Sequence, residues 1–418
     1  MLIHWIWFST RPSLSDRGRA EILQHFQDAE DVYFAAQDAF SCVEGLSAEA
    51  VQSLQDKNLT QAEEILGQCA KKNIHILTWR DAAYPARLKA ISDPPVILYY
   101  KGRLPEFDSL PLIAVVGTRD ASAYGLTIAK RMGSQIAACG GIVVSGMAYG
   151  IDGMAMRGAL TADMPVVGVL GCGADIVYPL SNRALFADVE KQGCLITEFP
   201  PGTPPAKWNF PRRNRLISGL SCGVLVVEAP EKSGALITAR QAADQGRDVF
   251  VVPGNIDVAT CKGSNALLRD GGILVSSGWD VVSEYEALFP GKIQNRALSS
   301  RQVAYPDEVE QAQSEKEKPL PKVAEKPRLL KKSGVGRKKV IDNAPAAPYI
   351  DAEEKCPPLS EGEESIVRLL RQDVTLVDEI IAQTQAPAGK VLADLTLLEV
   401  KGVIARLPGK RVALKKGK

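Results

Sequence analysis

The sequence contains little histidine. Only three histidines occur among 418 residues, and all of them precede the glycine-rich block that runs from about residue 113 to residue 275. The three are His4, His25 and His75. No Ser-His-Asp or Cys-His arrangement can therefore be assembled from the loops of that block. Carboxylates stand at or just after its predicted strand ends, but helix capping and turn ordering explain them as well as catalysis does. We predict no catalytic residue.

Paired cysteines and long apolar runs are also absent. The eight cysteines are scattered without a C-x-x-C pair, which excludes the usual zinc-site spacing and a secreted disulfide framework. No apolar run approaches the length of about 20 residues that spans a membrane, and the apolar start at residues 1–8 lacks a basic flank. We expect a cytoplasmic protein with no metal site and no membrane contact.

Net charge gives no overall indication of a partner. Fifty Lys and Arg residues nearly balance 49 Asp and Glu residues, for a formal net charge of +1. A site for a polyanion must therefore come from local clusters of cations.

Both common nucleotide-binding fingerprints are missing. The first predicted strand of the glycine-rich block is followed by Gly117-Thr118-Arg119 rather than by G-x-G-x-x-G, and no acidic residue ends the second strand. No G-x-x-x-x-G-K-[ST] segment occurs anywhere in the chain. We therefore predict no dinucleotide and no other cofactor.

One unit repeats through the middle of the chain: a short β-branched strand, a glycine loop and a helix. The repetition predicts an α/β fold, an extended Rossmann-like parallel sheet, over residues 81–290. The predicted strands are Leu112–Val116, Ile142–Ser145, Val166–Leu170, Leu195–Glu198, Val224–Val227, Val249–Val252 and Ile273–Ser276. Right-handed crossovers bring the carboxyl ends of such strands to one edge, where ligands bind.

Three further regions flank this sheet. Residues 1–80 contain short amphipathic helices and predict a small helical domain resembling a sterile alpha motif or a helix-hairpin-helix unit, or else a packing module. Residues 291–358 are rich in Lys, Glu, Pro and Ala and predict a disordered linker, with a basic cluster between Lys331 and Lys339. Residues 359–418 predict three helices and a hairpin, which is a winged helix.

The loops at the strand ends combine glycine with hydroxyls and cations. Glycine allows close approach of an anion, and the free amides of a helix N-terminus attract it. The loop residues predicted to bind are Gly117, Thr118, Arg119, Ser145, Gly146, Ser233, Gly234 and Lys262. For any single glycine, a tight turn without ligand remains the alternative.

The segment from Glu198 to Arg215 is predicted to form the longest loop, and it interleaves aromatics with cations. Bases can stack on Trp208 and Phe210 at roughly 1–3 kcal/mol each. Its other predicted binding residues are Arg212, Arg213, Asn214 and Arg215, whose cations would meet successive phosphates. That combination suits single-stranded DNA, bound without sequence specificity. The alternative is that Asn214 and Arg215 brace the loop against the sheet while the aromatics pack.

These residues also resemble a known family, the DNA-processing proteins DprA/Smf. The resemblance covers about residues 81–272, and its motifs are Tyr84-Pro85-x-x-Leu88, Val116-Gly117-Thr118-Arg119, Ser145-Gly146-Met147-Ala148-Tyr149-Gly150-Ile151-Asp152, Gly171-x-Gly173-x-Asp175-x-x-Tyr178-Pro179-x-x-Asn182, Phe210-Pro211-Arg212-Arg213-Asn214-Arg215 and Ser233-Gly234-Ala235-Leu236-Ile237-Thr238-Ala239. The family commonly has Gly-Ser-Arg where this chain has Gly-Thr-Arg, and either hydroxyl can donate to a phosphate.

The resemblance implies a non-enzymatic protein that binds single-stranded DNA and loads the recombinase RecA onto it during natural transformation. It further implies a homodimer formed through the α/β domain, and it assigns DNA contacts to Arg119, Arg212, Arg213 and Arg215.

Two alternatives remain open at this point. A nucleotide or phosphoribosyl hydrolase would share the fold, although the P-G-G-x-G-T-x-x-E loop of that class is missing from residues 228–241. A winged-helix transcription factor is disfavoured because the predicted third helix balances Lys390 and Lys401 with Asp394 and Glu399. We expect the winged helix to contact protein or to assist DNA binding, with Lys410 and Arg411 as its best phosphate contacts.

Overall fold

The computed structural model describes residues 1–296 and, further along, residues 361–370, 375–376, 403–407 and 411–414 with single positions between them. Residue contacts divide the chain into two units, Met1–Lys322 and Val323–Lys418. From residue 297 onward, the predicted linker and its basic cluster lie outside the described residues. The four domain boundaries expected from the sequence stay predictions.

The first unit begins with five helices. They are α1 (Leu2–Ser9), α2 (Asp16–His25), α3 (Ala29–Phe34), α4 (Ala48–Gln55) and α5 (Thr60–Lys71), with a 3-10 turn at Gln37–Cys42. Side-chain caps begin three of them, since Ser15, Asp28 and Ser47 each accept a hydrogen bond from a backbone amide of the first turn. The apolar start of the chain forms α1, and its Trp7 and Phe8 side chains are fully buried.

The sheet has nine strands in the order β1-β2-β6-β5-β4-β3-β7-β8-β9. Their bounds are β1 (His75–Thr78), β2 (Ile97–Gly102), β3 (Leu112–Val116), β4 (Ile142–Ser145), β5 (Val166–Val169), β6 (Cys194–Thr197), β7 (Gly223–Val226), β8 (Asp248–Val251) and β9 (Ile273–Leu274). The seven strands from β6 to β9 are parallel, which confirms the predicted fold class. Strand β2 is not among the strands predicted from the sequence; it pairs antiparallel with β6 and carries β1 at the sheet's edge.

Helices cover both faces of this sheet. They are α6 (Ala86–Lys89), α7 (Ala123–Ala138), α8 (Ile151–Leu160), α9 (Arg183–Gln192), α10 (Asn209–Leu220), α11 (Gly234–Asp244), α12 (Lys262–Arg269) and α13 (Gly278–Val282), with 3-10 turns at Leu180–Asn182, Ala259–Cys261 and Ser283–Tyr285. Alternate strand residues enter opposite cores, because successive side chains of a strand point to opposite faces. Leu112 and Ala114 belong to the core that includes residues of α1 and α10, whereas Ile113 and Val115 belong to the core that includes residues of α7 and α8. The N-terminal helices therefore share one hydrophobic core with the sheet.

The described part of the second unit contains one helix and a small sheet. The helix is α14 (Glu361–Leu370), and the antiparallel sheet has the order β10-β12-β11, from β10 (Thr375–Leu376), β11 (Ile404–Leu407) and β12 (Arg411–Leu414). Its core includes Ile366, Leu370, Ile404 and Val412. The predicted third helix lies outside the described residues except at single positions, and so does Lys410. In the described parts of the chain, no helix has both the length and the apolar character needed to cross a membrane.

Candidate nucleic-acid interface

The loops that follow the parallel strands form a groove at the carboxyl edge of the sheet. It is a cavity of about 260 Å³, continuous in its lining with a smaller hollow of about 50 Å³. Both are lined by Arg119, Ala148, Phe210 and Arg213. We call this pair of hollows the edge groove. The predicted binding residues that line it are Gly117, Thr118, Arg119, Gly146, Phe210, Arg213, Asn214, Ser233 and Gly234.

Arg119 and Phe210 form the centre of the edge groove. Arg119 is exposed, and its guanidinium carbon lies 5.3 Å from the centroid of the Phe210 ring. No ion pair involves Arg119 within the described part of the chain. A cation held against a half-buried ring presents charge and an aromatic face at the same place. This arrangement suits a ligand that combines phosphate with a flat base.

Arg213 lies beneath the groove and is only 4% exposed. Its Nη1 donates to the carbonyl of Gly146 at 2.8 Å and to that of Val169. Burial lowers the pKa of the Arg213 guanidinium to about 10, while neighbouring Asp152 acts in the opposite direction. Asp152 lies in the first turn of α8, and its Oδ2 accepts a hydrogen bond from the Gly146 amide at 3.1 Å. Arg213 and Asp152 together hold the loop ends of β4 and β5.

Arg212 and Arg215 point away from Arg213, because they lie on a helix. The expectation that Glu198 to Arg215 is one long loop is wrong from Asn209 onward, where α10 begins. Proline is tolerated in the first helical turn, where its missing amide has no partner to lose, so Pro211 does not interrupt α10. Residues one or two apart on a helix face different directions. Arg213 therefore reaches a different environment from Arg212 and Arg215, which lie three residues apart on one face of α10.

The Arg215 side chain is buried among carboxylates. Its Nη2 lies 2.6 Å from Glu198 and 2.9 Å from Asp16, and its Nε lies 3.1 Å from Asp93. Arg212 is half-exposed and pairs with Asp16 at 2.8 Å and with Glu198 at 3.1 Å. These pairs link α10 to the N-terminal helix α2. Neither arginine lines the edge groove.

Two helix N-termini at this edge differ in what occupies them. The buried Glu228 carboxylate accepts hydrogen bonds from the amide and the hydroxyl of Ser122 at the start of α7, the hydroxyl at 2.8 Å. A side chain at Gly125 would collide with that carboxylate. A dinucleotide pyrophosphate ordinarily binds at the first helix of such a sheet, so the protein's own carboxylate stands where it would lie.

The start of α11 is open by contrast. Ser233 caps this helix, Gly234 has free space around its Cα, and no acidic residue occurs in the first turn. The exposed Lys232 lines the edge groove beside them. A helix N-terminus next to a cation favours a bound anion. This is the most suitable phosphate position in the groove.

The remaining predicted residues lie outside the groove lining. Ser145 is fully buried, and its hydroxyl donates to the Val115 carbonyl at 2.6 Å, which ties β4 to β3. Trp208 stands at the start of α10 with 79% of its surface exposed. Lys262 is exposed at the start of α12, next to Gly263, which lies against the Pro230 carbonyl.

Sequence reasoning missed three groove residues: Tyr149, Tyr178 and Lys232. The two tyrosines are 46% and 40% exposed. Tyr149 follows a tight turn in which Met147 has a φ of 57°, and the buried Asn182 side chain donates to the Met147 and Ala148 carbonyls at 3.1 and 3.2 Å. The sequence signal that could have identified these three residues is an aromatic residue or a lysine near a glycine loop. Over the described residues, no group of three or more His, Cys, Asp or Glu side chains is placed to hold a metal ion.

The fold and the groove define a class: a Rossmann-like α/β protein with cations and aromatic rings at the carboxyl edge of its sheet and a separate C-terminal unit. Residues 75–286 match the family model of DNA recombination-mediator protein A, and residues 351–410 match that of the DprA winged helix domain. The chain is 31% identical to Protein Smf of Synechocystis sp., over 98% of this chain and 97% of that protein. It is 41% identical to the DNA processing protein DprA of Streptococcus pneumoniae, over 49% of this chain and 72% of that protein.

A solved structure agrees with these relationships. The X-ray structure of DNA processing protein A from Streptococcus pneumoniae superposes with a TM-score of 0.59 at 32% identity, covering 68% of this chain and 98% of that chain. The chain therefore belongs to the DNA recombination-mediator protein A family, the DprA/Smf proteins, which confirms the resemblance seen in the sequence. The match also confirms the C-terminal winged helix.

Proposed function

We propose that this protein binds single-stranded DNA in the edge groove without sequence specificity and passes it to the recombinase RecA during DNA uptake. The observation that carries the proposal is the exposed Arg119 stacked on Phe210, beside the open start of α11. Exposed rings at Tyr149, Tyr178 and Trp208 supply further stacking surfaces around it. Stacking on aromatics with cations along the backbone is a mode that tolerates any sequence.

Roles within the groove follow from exposure. Arg119 and Lys232 are proposed to contact phosphates, and Phe210, Tyr149 and Tyr178 to stack bases. Arg213 is proposed to act as a positioning residue, because its guanidinium is spent on backbone carbonyls beneath the surface. Arg212 and Arg215 do not line the groove. We propose that they contact DNA only at the surface where α10 meets α2.

The name of the family, recombination mediator, supports delivery of the strand to a recombinase, and we propose no chemical step. The protein would act by holding the strand while RecA nucleates on it. A direct test is RecA filament formation on single strands coated with a single-strand-binding protein, with and without this protein. We expect faster nucleation with the protein and no acceleration with Arg119→Ala.

The binding test compares one labelled oligonucleotide as a single strand, as its duplex and as the corresponding mononucleotide. Arg119→Ala should weaken single-strand affinity by about tenfold or more, because one charge-assisted contact is worth about 1.5–3 kcal/mol. Arg157→Ala is the matched control, an exposed arginine on α8 outside the edge groove. Equal affinity for duplex and single strand, or an unchanged affinity of Arg119→Ala, would contradict the proposal. Turnover of the mononucleotide would favour a hydrolase instead.

We also propose a homodimer through the α/β domain, formed at the β9 edge. Ile273 and Leu274 are 40% and 60% exposed on this last strand, whose outer side carries no neighbouring strand from the described part of the chain. An exposed apolar edge strand is a template for pairing with a second chain. Leu274→Arg should shift the protein to monomers in sedimentation velocity, whereas Leu288→Arg, at an exposed leucine away from the sheet, should not.

A further inference from the structure

A second cavity, of about 530 Å³, lies where the N-terminal helix α2 meets α10. Five arginines line it against two carboxylates. Its lining consists of Ser9, Arg11, Leu14, Ser15, Asp16, Arg17, Arg19, Asp93, Arg212 and Arg215. We call it the arginine cavity. None of these residues lines the edge groove.

Two of the arginines are fixed by backbone carbonyls. Arg19 donates from Nε to the Phe8 carbonyl at 3.0 Å and from Nη2 to the Arg11 carbonyl at 2.8 Å. Arg11 donates from Nε to the Trp7 carbonyl at 3.1 Å. Each also has a carboxylate partner, since Arg11 lies 3.2 Å from Asp56 and Arg19 lies 3.1 Å from Asp16. Both guanidinium groups are therefore held in fixed positions in the wall of the cavity.

Asp16 is the internal counterion of the arginine cavity. Its Oδ2 lies 2.8 Å from Nη2 of Arg212 and 2.9 Å from Nη2 of Arg215, and its Oδ1 lies 3.1 Å from Arg19. One carboxylate is therefore shared by three guanidinium groups. Arg215, which is 97% buried, still has an Nη1 without a hydrogen-bond partner. That buried Nη1 is a donor that a phosphate oxygen satisfies.

Arg17 at the mouth of the cavity has no structural explanation. It is exposed, it lies in the first turn of α2, and it forms no ion pair or hydrogen bond with the described part of the chain. A cation near a helix N-terminus is unfavourable for the helix, because that end already carries partial positive charge. A cation that the fold does not use is available to a ligand.

The arginine cavity adjoins the edge groove along α10. Pro211 and Arg213 line the groove, and Arg212, between them in sequence, lines the cavity with half of its side chain exposed. A strand that leaves the groove over the start of α10 therefore reaches Arg212 and the cavity that Arg212 lines together with Arg17.

We propose that the arginine cavity is a second anion site, which takes backbone phosphates of a DNA strand that already occupies the edge groove. The proposal rests on the proposed single-strand binding. Asp16 holds the arginines in place until a phosphate competes for them. The N-terminal helical segment thereby becomes part of the DNA-binding surface.

The test uses Arg17→Ala in the full chain, with Lys71→Ala as the charge-matched control, an exposed lysine at the end of α5. Affinity is measured by fluorescence anisotropy for two oligothymidines, one short enough to occupy the groove alone and one several nucleotides longer. Arg17→Ala should lower the ratio of long-strand to short-strand affinity by about 3- to 10-fold. The slope of log affinity against log salt for the long strand should fall by about 0.7, the value of one lost phosphate contact. Lys71→Ala should change neither quantity.

An unchanged affinity ratio in Arg17→Ala would overturn the second site. If Arg119→Ala also leaves both strands bound normally, single-strand binding in the edge groove fails as well, so the two failures are distinguishable. Competition with inorganic pyrophosphate distinguishes a DNA phosphate from a free anion as the ligand of the arginine cavity. If Arg17→Ala abolishes the binding of pyrophosphate but leaves the ratio of long-strand to short-strand affinity unchanged, the cavity takes a free anion. That result would also overturn the proposal.

Asp16→Asn supplies an effect of opposite sign. Removing the internal counterion should raise long-strand affinity by several-fold, although the variant loses ion pairs of the folded state. A residue of purely structural importance would lower the affinity or leave it unchanged, and either result would contradict the role given to Asp16. The unfolding midpoint of each variant, measured in the same buffer, shows that the folded protein is being compared.

Discussion

The loop after β3 and the helix α10 both present arginines beside aromatic or glycine residues, yet they use them in opposite ways. Arg119 on the loop is exposed and free of ion pairs with the described residues, whereas Arg213 and Arg215 on α10 are 4% and 3% exposed and hold carbonyls or carboxylates. In sequence they look alike. The difference shows that burial, rather than residue type, separates a cation that is open to solvent from one that braces the fold.

The largest effect should come from the most deeply paired arginine. Arg215→Ala leaves the buried Glu198 carboxylate with the half-exposed Arg212 as its remaining ion-pair partner. Breaking a buried ion pair lowers the free energy of unfolding by about 3–5 kcal/mol. Urea unfolding followed by tryptophan fluorescence measures it. Arg119→Ala is the control and should stay within about 0.5 kcal/mol of the parent, as exposed substitutions do. A loss below 1 kcal/mol for Arg215→Ala would remove the distinction between the two regions.

A second test keeps the charge and changes its shape. Arg213→Lys retains a cation near Asp152 but loses the planar guanidinium whose Nη1 donates to both the Gly146 and Val169 carbonyls, so stability should fall by about 2–3 kcal/mol. If Arg213 positions the groove, DNA affinity should fall together with thermal stability and recover on cooling. An affinity loss with unchanged unfolding would instead make Arg213 a direct phosphate contact.

Trp208 tests the exposed side of the comparison. Trp208→Ala should weaken single-strand binding by about 1–3 kcal/mol, the value of one stacked base, and leave unfolding unchanged because the ring is 79% exposed. Trp208→Phe is the matched variant and should retain most of the affinity. If Trp208→Ala lowers the free energy of unfolding by as much as it lowers the free energy of binding, the ring packs against the protein instead of stacking on a base.

Strand positions and the shared edge could be predicted from the sequence, because buried β-branched runs and glycine loops are local signals. The cation environments could not. The start of α10 was hidden by Pro211, and the partners of Arg215 come from Asp16, Asp93 and Glu198, which are distant in sequence. Strand β2 was missed for a similar reason, since its pairing with β6 joins residues about ninety positions apart.

Long separation in sequence also explains why only some of the groove residues could be predicted. Gly117, Thr118 and Arg119 follow a strand directly, so periodicity places them at the edge. Tyr149 depends on a left-handed Met147 and on amide donation from Asn182, which lies more than thirty residues later. Exposure of a side chain beside a loop is a tertiary property, and one sequence carries little signal for it.

The smallest effect is expected for Asp175, a carboxylate in the loop after β5 whose partners indicate a structural role. Asp175 pairs with Lys72 at 2.6 Å and accepts from the Gly202 amide at 2.9 Å. Burial alone would raise the pKa of Asp175, but hydrogen bonds from Lys72 and Gly202 outweigh it and hold the pKa below its usual value. A depressed pKa means that the carboxylate stabilises the fold above its unfolded pKa of about 3.9, and that this stability is lost as the pH falls through the lower folded value.

Asp175→Asn should therefore destabilise the protein by about 1 kcal/mol at neutral pH, a modest figure because Lys72 is 40% exposed and screened by solvent. The gap between the variant and its parent should narrow as the pH drops below about 4. Asp188→Asn, at an exposed carboxylate on α9, should show no such gap. Urea midpoints across this pH range measure both variants. A gap that persists at low pH would mean that shape, rather than charge, is what Asp175 contributes to the loop before Trp208.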